Sequence, residues 1–323
     1  MKYALVALTC LILGAFGGYV AHELLGHRDD RLCRQAYAFI NTDIMCGEAD
    51  VIEKTGYIET RTRVEDMIET ARSEHRIGEV SVYFRDLERG PTFGINELAP
   101  FAPASLLKLP LAFIYLASAE KDPAFLDATL SYTGTSSVEE QRVKPEESAK
   151  PQVEYPMRDI LRMMLSYSDN ASYEMLESFV AATESRRGLR QEIFQELGVI
   201  DPRDRLETTL SVRGYAALFR ILYNVSYLDA KHSELALEWL AASTFEDGLV
   251  AGVPEGVVVA HKFGERLRDT GENELHDCGI VYYPENPYLL CVMTRGNAWD
   301  AQTRLIADIS RVVYEEVDSR RIE

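Results

Sequence analysis

Positive charge is scarce in this chain of 323 residues: 34 Lys and Arg stand against 52 Asp and Glu, for a net charge of -18. That deficit argues against nucleic acid or an anionic membrane surface as a partner, because either requires a basic face. Cysteine is sparse too, with five in all, and no spacing among Cys10, Cys33, Cys46, Cys278 and Cys291 resembles a zinc site. His22 and His27 miss the four-residue spacing that places two metal ligands on one helical face. There is no Gly-x-Ser-x-Gly elbow to support a Ser-His-Asp hydrolase and no Gly-rich phosphate loop. Repeats and low-complexity segments are absent. No metal and no cofactor is expected.

What is present is enough apolar material, 46% of residues, for a large buried core. The first residues differ from the rest, with Lys2 followed by an uncharged stretch from Tyr3 to Ala21 that contains Leu5, Val6, Leu11, Ile12, Leu13 and Phe16. This predicts an export signal or a membrane anchor. The stretch is about long enough to span a bilayer and Ala15-Phe-Gly17 is a poor cleavage site, so an uncleaved anchor is preferred over a cleaved signal. The expected location is therefore the cell envelope, facing outside the cytoplasm, or secreted if the signal is cleaved. In that compartment Cys33 and Cys46 can form a disulfide. Cys278 and Cys291 read as small buried hydrophobes on neighbouring strands, and a bridge between them depends on a register the sequence does not give.

Periodicity divides the chain into residues 1–27 as signal or anchor, 28–61 as a polar lead-in, and 62–323 as the main domain. Val64, Met67, Ile68 and Ala71 lie on one helical face. Val80 to Phe84 and Thr92 to Ile95 read as a hairpin. The middle turns helical near 157–167, 171–182, 187–197, 212–223 and 232–242, with Gly134 to Pro156 as a polar surface excursion. Strands return at Val257 to Lys262, Asp277 to Tyr283 and Tyr288 to Thr294, and a helix closes the chain from about Asp300 to Val317. The fold class expected is α+β, with one antiparallel sheet built from both chain ends, flanked by helices, and an all-helical region inserted.

Three motifs then stand in order: Ser105-Leu-Leu-Lys108, Ser168-Asp169-Asn170 and Lys262-Phe263-Gly264. Each has a bland reading: Ser105 as a helix cap, the second motif as a helix stop and cap, Lys108 as a charged stem reaching for solvent. A second S-x-x-K at Ser118-Ala-Glu-Lys121 shows how easily such patterns recur. Ser105 is preferred because it opens an apolar run, Leu106 to Ala119, that reads as a buried helix, with Lys108 one turn on. In this order the motifs resemble the active site of the penicillin-recognising serine enzymes, in the version of class A β-lactamases and low-molecular-mass penicillin-binding proteins. The resemblance covers roughly residues 62 to 318.

The resemblance implies a catalytic set of Ser105, Lys108, Ser168, Asn170 and Lys262. Ser105 becomes the nucleophile that opens an amide or lactam carbonyl, and Lys108 its base once burial lowers the amine pKa. Ser168 relays a proton to the leaving nitrogen, and Asn170 holds the substrate amide and braces Lys108. Lys262 attracts an anionic substrate end, and the backbone N–H groups of Ser105 and Glu265 form an oxyanion hole. Asn170, Lys262, Phe263 and Gly264 bind substrate. Two features depart from the family. Phe263 replaces the usual hydroxyl residue, and the loop Leu197 to Thr209 lacks the Glu-x-x-Leu-Asn segment whose glutamate activates the deacylating water. Asp201, Asp204 and Glu207 are the carboxylates present there. The expected partner is a small-molecule or peptide amide or ester, β-lactam or peptidoglycan-like, and the chain is expected to be monomeric. The alternative is a catalytically idle envelope domain that keeps the fold as a binding or structural module.

Overall fold

The structure is a computed structural model that describes residues 37–41, 57–74, 77–88, 90–132, 134, 141–182, 184–198, 209–267 and 271–320. The chain divides into two units, 1–51 and 52–323. In the first, the described residues 37–41 form no regular element. The site lies wholly in the second. Tyr3 to Ala21, Cys33 and Cys46 lie outside the described residues, among which no helix is long and apolar enough to cross a membrane.

Helix α1 (Ile58–Ser73) leads into β1 (Ile77–Asp86) and β2 (Thr92–Ile95), the predicted hairpin. Helix α2 (Lys108–Lys121) follows, then a short pair β3 (Thr129–Ser131) and β4 (Glu154–Pro156). Five helices come next: α3 (Met157–Ser166), α4 (Asn170–Ala181), α5 (Glu184–Glu196), α6 (Val212–Tyr223) and α7 (Ala230–Ala241). The chain closes with β5 (Val259–Leu267), β6 (Asn273–Val281), β7 (Tyr288–Gly296) and α8 (Trp299–Ser319). The main sheet is antiparallel, in the order β2-β1-β7-β6-β5, so its strands do come from both chain ends around a helical insert.

The period of two along each strand explains the layers. Val80, Val82 and Phe84 on β1, Leu290 and Val292 on β7 and Phe263 on β5 form one core with Ile306, Ile309 and Val313 of α8. The other sheet face meets the helical half, where α6 touches β7 and α7 touches β5. Helix α2 is apolar all round, Leu109 through Leu116 being buried, which fits a helix enclosed by others. This places β5, an edge strand, at the seam between the two halves.

Three expectations need correction, and the register answers one question that the sequence left open. Ser105 is not on an α-helical turn but in a 3-10 turn, Ala104–Leu107, that precedes α2. Pro110 is the reason: it has no N–H and its ring excludes the carbonyl four residues back, so α-helical bonding cannot extend to Leu106. Strand β5 continues five residues past Lys262, to Leu267; Gly264, Glu265 and Arg266 interrupt the apolar pattern that suggested an earlier end. Cys278 and Cys291 are register partners on β6 and β7 and are joined as a disulfide. Finally, the polar stretch before Pro156 is not all surface, since Gln141 and Ala149 are buried.

Candidate active site

Each motif reaches the site for a local reason. The 3-10 turn carries Ser105 at the N-terminal approach to α2, with Leu106 N–H donating to Pro103 O at 2.9 Å and Ala104 held at a left-handed φ of 49°. Lys108 follows one turn later and its long side chain is buried. The corner between α3 and α4 carries Ser168, also left-handed at φ 55° and buried. Asp169 then caps α4, its carboxylate accepting from Ala171 N at 3.3 Å, Ser172 N at 2.8 Å and Ser172 Oγ at 2.6 Å. The same carboxylate accepts from Ser148 Oγ at 2.6 Å and Ala149 N at 3.2 Å. Non-glycine residues at positive φ are costly, and here they sit at and beside reactive groups that the surroundings hold in place.

Lys108 is the hub. Its Nζ lies 3.2 Å from Ser105 Oγ, 3.1 Å from Ser168 Oγ and 2.8 Å from Asn170 Oδ1, and it also donates to the Ser168 carbonyl. Burial lowers the Lys108 pKa to about 7, against the opposing charges of Asp169 and Glu265. The neutral amine has two hydrogens. The two carbonyl-type oxygens, Asn170 Oδ1 and Ser168 O, can only accept and so take both, which leaves the lone pair for a hydroxyl hydrogen. Ser105 Oγ–H is placed to supply it.

Lys262 completes the cluster from β5. Its Nζ is 2.8 Å from Ser168 Oγ and donates to Phe263 O at 2.8 Å. Burial and then the charge of Lys108 hold its pKa well below the ordinary value. The Ser168 hydroxyl therefore lies between two amines. Gly264 brings the strand against the nucleophile turn: a Cβ there would stand 3.0 Å from Leu106 Cγ and 3.2 Å from both Leu106 N and Pro103 O. Glu265, the next residue, is thus beside the Ser105 turn.

The structure brings together Ser105, Lys108, Ser168, Asn170 and Lys262. It does not bring the Phe263 side chain with them. That ring is buried in the sheet–α8 core, stacked 4.3 Å from Phe245, because residue 263 points to the opposite face from Lys262 and Gly264. His276 donates from Nε2 to Ala102 O at 2.9 Å, and His261 Nδ1 pairs with Asp277 at 2.8 Å. His261 is thus a neighbouring-strand partner, whereas His276 ties β6 to the segment that leads into the Ser105 turn. Asp201, Asp204 and Glu207 lie outside the described residues.

Sequence reasoning missed a short strap. Gln141 Nε2 donates to Ser168 O at 3.2 Å, and Val143 N donates to Glu265 Oε1 at 3.0 Å. Between them Arg142 covers the Trp299 ring at 4.7 Å. The strap therefore ties the α3–α4 corner to the edge of β5. No local pattern announces contacts made across 27 and 122 residues.

A metal has one possible cluster among the described residues, where Glu120, Asp229 and His232 bring ligand atoms within 4.8 Å. It lies at the opposite end of α2 from Ser105, about 20 Å along the helix. Asp229 there caps α7, accepting from His232 N at 2.9 Å, which accounts for the grouping without an ion.

Residues 59–317 match the sequence model of the Beta-lactamase enzyme family. No curated protein matches the chain. Among solved structures, a beta-lactamase from Chitinophaga pinensis DSM 2588 superposes with TM-score 0.67 at 23% identity, over 80% of this chain and 99% of its own. PBP-A gives TM-score 0.66 at 19% identity, over 84% and 100%. A class A beta-lactamase from Mycobacterium abscessus gives 0.65 at 21%, over 79% and 99%. At these identities the superpositions establish the shared fold.

Proposed function

Because the chain belongs to the Beta-lactamase enzyme family, we propose that it is an extracytoplasmic serine hydrolase that forms an acyl-enzyme at Ser105. The observation that carries this reading is the buried Lys108 amine, 3.2 Å from Ser105 Oγ with its two hydrogens directed at carbonyl oxygens. A serine hydroxyl needs such a base, and an amine with a pKa near 7 is about half neutral at neutral pH. Lys108 takes the Ser105 proton as Oγ attacks the substrate carbonyl. Ser168, 3.1 Å from Lys108 and 2.8 Å from Lys262, passes a proton to the departing nitrogen. The backbone N–H groups of Ser105 and Glu265 stabilise the developing oxyanion, and Asn170 and Lys262 orient the substrate.

The substrate class is a β-lactam or a peptidoglycan-like amide or ester. A PBP-A mutant, which shares the fold, has been solved as an acyl-enzyme with penicillin G. Two buried amines flanking one hydroxyl argue against an idle module: each desolvated amine costs stability that a binding scaffold has no reason to bear. The apolar stretch Tyr3 to Ala21 supports anchoring in the membrane with the enzyme outside the cytoplasm.

Intact mass after incubation with benzylpenicillin tests the reading. A covalent adduct is expected on the native chain and not on Ser105→Ala. An unlabelled native chain, or equal labelling of the variant, sinks the assignment of Ser105.

A further inference from the structure

On the side of the sheet away from β5, a concavity of about 260 Å³ lies between the β1–β2 hairpin and α6. Strand β1 stands three strand steps from β5, about 14 Å across the sheet, so this pocket is separate from the Ser105 site. Local periodicity puts arginine into it from both walls. On β1, Arg85 alternates with Val82, Phe84 and the α8 core and so projects toward the helical half. On α6, Arg213, Ala216, Ala217 and Arg220 repeat along one helical face, and the two small alanines leave the space between the arginines open. Among the described residues that line the pocket, Glu97 is the one carboxylate, and it pairs with Arg213 at 3.0 Å. Arg85 and Arg220 are half-buried, and among the described residues neither guanidinium has a hydrogen bond or an ion pair. With three arginines against one glutamate, the pocket carries a local charge of +2 in a chain whose net charge is -18. Guanidinium groups gathered in a half-enclosed space repel one another and lose part of their hydration, a cost that an anionic ligand relieves.

We propose that this pocket is a binding site for a small multivalent oxyanion of the phosphate type, separate from the acyl-transfer chemistry. A guanidinium presents paired N–H donors that match two oxygens of one phosphate group, and it stays charged across the physiological pH range. Arg213 and Arg220 are seven residues apart, about 10 Å along the helix, so the two can close on a ligand with two anionic groups, with Arg85 on the opposite wall. The hydroxyl-bearing residues Tyr83 and Thr92 line the same space and add donors for oxygen. Size sets the upper bound. The cavity falls short of the roughly 300–1,000 Å³ typical of drug-sized ligands, which suits a diphosphate group and excludes a peptide or a nucleic acid strand. The acidity of the rest of the chain repels polyanions, so their recognition has to be local.

Isothermal titration of inorganic pyrophosphate into the full chain at low ionic strength tests this, with citrate and acetate as the polycarboxylate and monoanion controls. One site per chain is expected, weakening as salt is raised. Affinity should fall by about tenfold or more in Arg85→Gln and in Arg220→Gln, and by less in Arg220→Lys, which keeps the charge and loses the fork. It should hold in Arg158→Gln, an exposed arginine paired with Asp127 outside the pocket. Arg85 and Arg220 have no side-chain partner to lose, so without ligand the urea midpoints of Arg85→Gln and Arg220→Gln should match the native one, and pyrophosphate should raise the native midpoint more than theirs. Equal affinity in Arg85→Gln, Arg220→Gln and Arg158→Gln would mean diffuse association with the surface and overturns the site, as does a native chain that binds no pyrophosphate. Citrate bound more tightly than pyrophosphate, or acetate bound equally well, overturns the assignment to a multivalent phosphate. None of these readouts depends on labelling of Ser105, so the site stands or falls apart from the acyl-enzyme reading.

Discussion

Asp169, at the corner of α3 and α4, and Glu265, on the edge of β5, both act on the charge of Lys108, yet their surroundings are opposite. Asp169 is fully buried and accepts five hydrogen bonds, from the backbone it caps and from two neighbouring segments. Glu265 is partly buried and is held by the backbone of the strap alone, at Arg142 and Val143. The corner is thus a rigid support, and the strand edge is tied more lightly. A site that must hold Lys108 still while admitting substrate needs both kinds of ground.

The largest expected effect falls on what the two regions share. Lys108→Met removes the amine that contacts Ser105, Ser168 and Asn170, and acylation should drop by about 1,000-fold or more, measured as adduct formation. Retained labelling would mean that another group deprotonates Ser105. The next prediction sets the carboxylates against each other. Asp169→Ala strands several buried donors and should cost about 3–5 kcal/mol in urea unfolding. Glu265→Ala loses only its ties to the strap backbone and should cost about 1–2 kcal/mol. Equal losses would erase the distinction between the rigid corner and the lightly tied edge.

How much of this was legible follows from the range of each contact. Ser105 and Lys108 were readable because three residues in a helical turn fix one face, and the capping role of Asp169 follows from residue chemistry. Lys262 was readable as a lysine with no structural task at the end of an apolar strand. Glu265 was named only for its backbone, because its side-chain partner Val143 is 122 residues away. Phe263 was placed with the substrate-binding residues by its position in the motif, but strand alternation turns the ring into the core. Pro110 was visible, although its effect on the turn that carries Ser105 went unread.

The pH response sharpens the comparison further. With the Lys108 pKa at about 7, the protonated amine below that value has no lone pair to accept the Ser105 proton. Acylation should rise about tenfold per pH unit below 7 and level off above it. Stability moves the same way. Between about 7 in the folded chain and the ordinary 10.5, the unfolded chain binds more protons at this site, so the free energy of unfolding rises with pH across that window. A flat acylation profile from pH 5 to 8 would show that Lys108 is not the group that limits attack.

The smallest effect concerns the strap. Gln141 donates from Nε2 to Ser168 O, an oxygen that Lys108 also uses, and its Oε1 is buried without a partner. The orientation of the amide is fixed, since a carbonyl can only accept and therefore must face the NH2 group. Gln141→Leu removes one hydrogen bond, worth about 1 kcal/mol, but also removes an unsatisfied buried acceptor whose cost is similar. The two terms oppose, so stability should change by less than about 1 kcal/mol. Ser168 O keeps its Lys108 donor, and acylation should fall only a few-fold. A loss as large as that of Lys108→Met would move Gln141 from the strap into the proton path, and the β5 edge would then be as much a support as the corner.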